Sequence, residues 1–427
     1  MDILIQNALT ILPEDEIKVC SVYIRNGLIA AIDEKPEGFA EEKIIDGSGR
    51  LLVPGFVNAH THIYMSCLRN RADDLGFMPW LFDNVIPLEN KLSHEDAYWG
   101  IQLGCMEMLM GGITSILDMH MFPQTTPRAL ADAGIRAVVT RGLQGGREDN
   151  YEGGELRIKQ ALDEKREFEN VPTLSFMLAP HAPYTCDDEY LKHIAKLAKE
   201  LKMGIHVHLS ESADEQKTIR ERYGCTPAEL CDDCGILTDN TVCAHCVYLS
   251  ESDIELLSKR GSSVAHNPAS NMKLGNGFAR VESMLNHGVN VALGTDGCCS
   301  NNNQSILREM QLAALIHKGT ACSPTAVSAK KVFDMATVNG ARALGLQGVV
   351  GEIKPGMAAD LSIFNLDYPG FFPLGEPKAA LCYASSGLRA ETVLVNGRVL
   401  LEKGEYKTID ADRVKFEINA LSKRLDS

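Results

Sequence analysis

His60-Thr61-His62 closes an apolar run, Leu51-Leu52-Val53-Pro54-Gly55-Phe56-Val57. In an extended strand residues i and i+2 point to the same face, so the two imidazoles project together. Two neutral imidazoles side by side begin a zinc site, which commonly takes three protein ligands and a water. Histidines at this spacing also arise by chance, but here the pattern recurs. His208, His245 and Asp296 fall near the ends of strand-like segments far along the chain, and together they point to a metal-dependent hydrolase. His206 shares the strand face of His208 and is an alternative ligand to it.

The cysteines suggest a second metal site that their spacing does not support. Cys231-Asp232-Asp233-Cys234 and Cys243-Ala244-His245-Cys246 make two CxxC pairs only eight residues apart. A zinc ribbon leaves roughly 15–20 residues between its knuckles. Cys243 and Cys246 would also face opposite sides of one strand, so these thiols read as small buried hydrophobes.

Positioning such a site requires a frame, and the chain supplies one. Eight strand-like runs (55–62, 112–120, 135–143, 174–182, 204–211, 241–249, 262–271 and 290–297) alternate with amphipathic stretches such as 94–110, 187–201, 250–260 and 281–287. Eight strands alternating with helices predict an α/β fold, a (β/α)8 TIM-type barrel. Runs such as Ile135-Arg136-Ala137-Val138-Val139 are mostly apolar, as strands buried on both faces should be. Polar residues gather where such a barrel keeps its active site, at the C-terminal strand ends. In strand order these are His60 and His62; Asp118 and His120; Arg141; His181; His208 with Glu211; His245; His266-Asn267; and Asp296.

The two ends of the chain read differently. Each carries short alternating segments and one Asn-Gly, at Asn26-Gly27 and Asn396-Gly397, the strongest short hairpin signal. The expected organisation is therefore a small β-sandwich built from both chain ends, 1–54 and 348–427, beside a barrel spanning 55–347.

Composition narrows the classes of partner. A 427-residue chain with 45% hydrophobic and 23% charged residues is ordinary for a globular protein, and a net charge of -15 argues against nucleic acid. No apolar stretch approaches the ~18 residues of a membrane span. The first residues lack a basic region, so no signal peptide is expected. Thirteen cysteines, an odd number, read as reduced thiols and a cytoplasmic location.

Four segments carry a family resemblance: Pro54-Gly55-Phe56-Val57-Asn58-Ala59-His60-Thr61-His62, His206-Val207-His208-Leu209-Ser210-Glu211, Ala265-His266-Asn267-Pro268-Ala269-Ser270-Asn271 and Leu293-Gly294-Thr295-Asp296-Gly297. On these the chain resembles the amidohydrolase superfamily, and within it the 5-methylthioadenosine/S-adenosylhomocysteine deaminases. The resemblance implies zinc held by His60, His62, His208 and Asp296; ferrous iron accepts the same donors. Strand four offers Pro180-His181-Ala182-Pro183 and no bridging lysine, which implies one metal per subunit.

The implied reaction is hydrolytic deamination: a metal-bound hydroxide attacks C6 of an adenosine-type nucleoside, and ammonia leaves. Glu211 would be the general acid–base and contact the ring, His245 would orient the water, and Asp296 would be both ligand and proton shuttle. Glu89, in Pro87-Leu88-Glu89-Asn90, would accept from the ribose hydroxyls, with Arg141 and His181 as further substrate contacts. After Gly153-Gly154 the family has an arginine for the amino-acid tail of S-adenosylhomocysteine; here Glu155 follows, and the nearest arginines are Arg147 and Arg157. That departure shifts the expectation towards methylthioadenosine, adenosine or 5'-deoxyadenosine.

The alternative is a same-fold aminohydrolase or chlorohydrolase acting on a free ring such as guanine, a pterin, cytosine or a triazine. A metal-binding protein without catalysis fits less well, because it has no need of Glu211. The expected partner is a small nucleoside, without nucleic acid or membrane, and with a homo-oligomer as an open arrangement.

Overall fold

The computed structural model describes residues 1–426. Its centre is a closed parallel barrel of eight strands: Phe56–Thr61, Ile113–His120, Arg136–Leu143, a fourth in two pieces (Leu174–Phe176 and Ala179–Pro180), Ile205–Leu209, Thr241–His245, Ser263–His266 and Asn290–Leu293. Two joints seal the ring. Strand four meets strand five through His206 N–H to Leu178 O (2.9 Å) and His208 N–H to His181 O (3.0 Å). Strand eight meets strand one where Thr295 and Asp296 N–H both donate to His60 O, at 3.1 and 3.0 Å.

Alternation along each strand fills two cores at once. Val57, Leu117, Val138, Val242, Ala265 and Ala292 pack in one buried cluster, and Phe56, Ile116, Val139, Val264 and Val291 join the larger one. This double burial is why the strands read as nearly continuous apolar runs. The surrounding helices start where the sequence offers caps: Ser93 and Ser250 form capping boxes with Asp96 and Asp253, and Asp187 accepts from Tyr190 N–H.

Both chain ends enter one nine-stranded sheet. Arg50–Pro54 pairs antiparallel with Leu361–Asn365, which joins the N-terminal strands to the C-terminal ones. Ile3, Ile5, Val22, Ile24, Leu52, Leu361 and Leu394 make a separate core for it. The two Asn-Gly turns are hairpins with positive φ at all four residues, and they touch: a Cβ on Gly27 would lie 2.7 Å from Asn396 O.

Three features depart from the sequence reading. The C-terminal segment is not all strand, since it contains helices Pro377–Tyr383 and Ala411–Leu425. Asp410 caps the latter through Arg413 N–H, and Val414 and Leu421, seven residues apart, bury its inner stripe. Strand six ends at His245, not at Leu249, because His245 and Cys246 adopt φ of 73° and 52°. Strand seven ends at His266, where Pro268 opens the helix Pro268–Lys273.

The sheet grips the amino-terminal ends of the barrel strands. Arg136, first residue of strand three, makes two bonds to Asp360, Nε to Oδ2 at 2.7 Å and Nη2 to Oδ1 at 3.0 Å. Asp360 Oδ1 also accepts from Asn396 N–H at 2.7 Å. No helix among the described residues is long and apolar enough to cross a membrane.

Candidate metal centre and active site

Five side chains from strands one, five, six and eight converge at the carboxyl end of the barrel. His60, His62 and His208 form one group with ligand atoms within 4.8 Å of one another, and His60, His245 and Asp296 form another. The separations are 3.2 Å between His62 Nε2 and His208 Nε2, and 3.4 and 3.6 Å from Asp296 Oδ1 to His60 and His62 Nε2. Ligands ~2.0–2.1 Å from a tetrahedral zinc lie roughly 3.3 Å apart, so the set fits such an ion.

Hydrogen bonds behind the rings decide which nitrogen is bare. His62 Nδ1 faces Met119 O at 2.7 Å, His208 Nδ1 faces His181 O at 2.7 Å, and His245 Nδ1 faces Asn271 Oδ1 at 2.8 Å. An oxygen acceptor holds the proton on Nδ1 in each case and leaves Nε2 a lone pair. His60 is set by a longer relay of hydrogen bonds. Thr140 Oγ1 donates to Asp118 O (2.8 Å), so it accepts from His206 Nδ1 (3.2 Å). His206 Nε2 then accepts from His60 Nδ1 (2.9 Å), and His60 Nε2 is left buried with no hydrogen-bond partner.

Four lone pairs and a carboxylate thus face one another without a donor between them. That arrangement calls for a cation. The chain of bonds also separates the two strand-five histidines: His206 backs His60, while His208 belongs to the convergent set. Burial pushes the His60 imidazole down to about 4 and His208 well below its usual value, which keeps both neutral.

Backbone geometry aims these groups. Ser210, His245 and Asp296, at the ends of strands five, six and eight, have φ of 52°, 73° and 61°. Left-handed conformations of non-glycine residues cluster at functional sites. Gly294 lets strand eight approach: a Cβ there would lie 2.3 Å from Asn267 Oδ1 and 2.9 Å from His60 O.

Beside the cluster is a cavity of about 130 Å³ lined by His62, His181, His208, Glu211, His245 and Asp296 on one side and Phe77, Trp80, Tyr184, Met121, Gln144 and Glu89 on the others. Burial, and then the charge of Asp296, push the Glu211 carboxyl well above its usual range. Its Oε2 is 3.7 Å from His245 Nε2, and its Oε1 is 3.4 Å from Asn276 Nδ2. Glu89 accepts a hydrogen bond from Tyr64 OH. His181 Nδ1 sits 3.0 Å from Thr185 Oγ1, whose own proton goes to Ala182 O, so its Nε2 is an acceptor.

Arg141 is the expected contact that is not brought to the cavity wall. Its Nη1 donates to Gly142 O (3.0 Å), His120 O (3.3 Å) and Met121 Sδ (3.0 Å), and its Nε to Gln160. Glu155 is exposed on its helix near His193 (3.4 Å). Arg157, by contrast, donates to the main-chain oxygen of Gln144 at 3.2 Å, next to the cavity. The four CxxC cysteines are buried and free. The only metal-holding groups among the described residues are the two histidine sets above.

Several residues of the site were not legible in advance. Glu215 could have been found from Ser212-Ala213-Asp214-Glu215, a capping-box pattern. Its carboxylate reaches further back than a capping box does, accepting from Ser210 N–H (3.0 Å) and Glu211 N–H (2.7 Å), which fixes the turn carrying Glu211. Ser270 and Ser300 donate to Asp296 Oδ2, and nothing in their spacing announces it.

A closed parallel barrel that gathers imidazoles and carboxylates around one centre at its strand ends defines a metal-dependent hydrolase. Residues 51–400 match the amidohydrolase family, and the chain belongs to that family. It is 40% identical, over all of both chains, to a 5-methylthioadenosine/S-adenosylhomocysteine deaminase of Acetivibrio thermocellus. It is also 40% identical to a 5'-deoxyadenosine deaminase of Methanosarcina mazei, covering 99% of this chain and 98% of the relative. Among solved structures, an adenosine deaminase from Xanthomonas campestris with bound zinc superposes with a TM-score of 0.94 at 31% identity, covering 100% of this chain and 98% of that one.

Proposed function

We propose that this protein deaminates adenosine-type nucleosides hydrolytically, giving the inosine analogue and ammonia. In this reading the barrel, 55–347, carries the chemistry, and the two ends, 1–54 and 348–427, form a supporting β-domain. One zinc per subunit would be held by His60, His62, His208 and Asp296, and ferrous iron suits the same donors. The ion supplies a Lewis acid that makes water nucleophilic near neutral pH.

The residues around it divide the remaining work. Glu211 takes a proton from the attacking water and delivers it to the purine ring, a role suited to a carboxyl whose proton affinity is raised by burial. His245, with Nδ1 committed to Asn271, turns a bare Nε2 towards that water. Asp296 accepts the second proton and passes it to the departing amine. Phe77, Trp80 and Tyr184 wall the ring from solvent, which strengthens every charge interaction within. Glu89 accepts from the ribose hydroxyls, and His181 Nε2 accepts from, or is bridged by water to, the nucleoside.

The observation that carries this reading is the donor-free convergence of four Nε2 atoms and Asp296 at a cavity that also contains Glu211 and Glu89. The family's named relatives supply the substrate class. Thirteen free thiols favour the cytoplasm as its compartment. The test is ammonia release from the zinc-loaded protein with adenosine, 5'-deoxyadenosine, methylthioadenosine, S-adenosylhomocysteine and free adenine, guanine and cytosine. Turnover of a free base with none of the nucleosides would overturn it.

A further inference from the structure

Asp296 is held from behind by an arrangement that its part in metal binding does not by itself require. Its Oδ1 faces the imidazoles and accepts from Gly297 N–H at 2.7 Å. Its Oδ2 accepts from two hydroxyls, Ser270 Oγ at 2.6 Å and Ser300 Oγ at 2.8 Å. The serines come from two different short helices, Pro268–Lys273 after strand seven and Cys298–Asn301 after strand eight. Ser300 has a competing acceptor, Gly297 O at 3.1 Å, so its orientation depends on where its helix is held.

A single side chain holds both helices. Glu309, on helix Ile306–Ala321, is wholly buried. Its Oε2 accepts from Ala269 N–H at 3.0 Å and its Oε1 from Asn301 Nδ2 at 2.9 Å. Each contact falls one residue from a serine: Ala269 precedes Ser270, and Asn301 follows Ser300. Asn301 is anchored in turn by donating to Thr295 O (2.7 Å) and accepting from Arg308 Nη1 (2.6 Å). A carboxylate suits this place because both helices present N–H donors to it.

We propose that Glu309 is a positioning residue for the metal centre: by spanning the two short helices it makes Ser270 and Ser300 converge on one oxygen of Asp296, which keeps the other turned towards the ion. The proposal rests on the reading of Asp296 as a ligand. Groups that orient a ligand from behind are typically worth ~10–100-fold in metal affinity or activity when removed. The serine pair should carry that effect, and Glu309 should act through it.

The experiment is a cycle on the zinc-loaded full chain, read as zinc retention against a competing chelator alongside kcat and KM. Ser270→Ala with Ser300→Ala should loosen zinc and lower kcat, each by ~10–100-fold, with KM little changed. Glu309→Gln places an N–H₂ against one of the two donors, so it should loosen zinc in the same direction. Added to the double serine variant it should cost almost nothing further, since neighbours acting through one path are not additive. Full additivity, or zinc retention and kcat equal to the parent in the serine variant, would overturn the proposal. If Glu309→Gln does not fold, Asn301→Ala releases one helix while Glu309 stays, and the same non-additivity with Ser300→Ala is required. Asp296→Ala separates the two readings: zinc retained in that variant defeats the ligand assignment, whatever the cycle shows.

Discussion

The two ends of the barrel handle buried charge in opposite ways. At the amino-terminal end, Arg136 meets Asp360 with two bonds, and the main-chain N–H of Asn396 takes up one of the same oxygens. Cation, anion and donor offset one another locally. At the carboxyl end, His60, His62, His208, His245, Glu211 and Asp296 are all acceptors or acids, equally buried, and His60 Nε2 has no partner. A matched pair holds two parts of the fold together. An unmatched set has affinity left for something from outside, and that asymmetry separates a structural contact from a site.

The contrast can be broken at either end. Asp296→Ala should abolish zinc binding and lower turnover by more than ~10³-fold, since several kcal/mol of charge stabilisation goes with the ion; metal analysis with ammonia release checks both. Chelation of the parent should lower its unfolding midpoint, and zinc at 1,000 times its Kd should restore about 4 kcal/mol. At the other end, Arg136→Ala strands the Asp360 carboxylate and should destabilise the fold by ~3–5 kcal/mol. Urea titration reads this, and kcat of the folded fraction at low temperature should be that of the parent. If Arg136→Ala instead lost zinc, the two ends would not be independent.

Within the carboxyl end, finer distinctions follow. Glu211→Gln should keep zinc and folding while losing ~10²–10⁴-fold in turnover, the usual range for a general acid–base; loss of zinc would make Glu211 a ligand. Glu89→Ala should cost ~10–100-fold in kcat/KM for a nucleoside, as expected for hydrogen bonds to a charged acceptor. The same variant should leave a free base unaffected, and equal loss on both would remove the ribose from its role.

Much of this was legible because the periodicities were strong. All eight barrel strands and the helices at 94–110, 187–201, 250–260 and 281–287 form where the alternating and amphipathic patterns put them, with strands six and seven ending early. What escaped were local decisions taken by tertiary contact. His245 and Cys246 look like strand residues but turn left-handed to aim a ring inward. His206 and His208 share a strand face, and only the partners behind them, Thr140 for one and His181 O for the other, tell them apart. Arg141 reads as a substrate contact by motif, yet its guanidinium is taken up by carbonyls that no linear pattern reveals. The C-terminal helix Ala411–Leu425 was hidden by the strands before it.

The seam between Arg50–Pro54 and Leu361–Asn365 bears on how the chain is made. During synthesis the first strands leave the ribosome with an open edge, and their partners arrive only after the whole barrel has been translated. Until then that edge is a template for pairing with other nascent chains. Truncation near residue 360 should therefore produce clumping rather than a slightly weakened enzyme, and maturation should be paced by the last sixth of translation rather than the first.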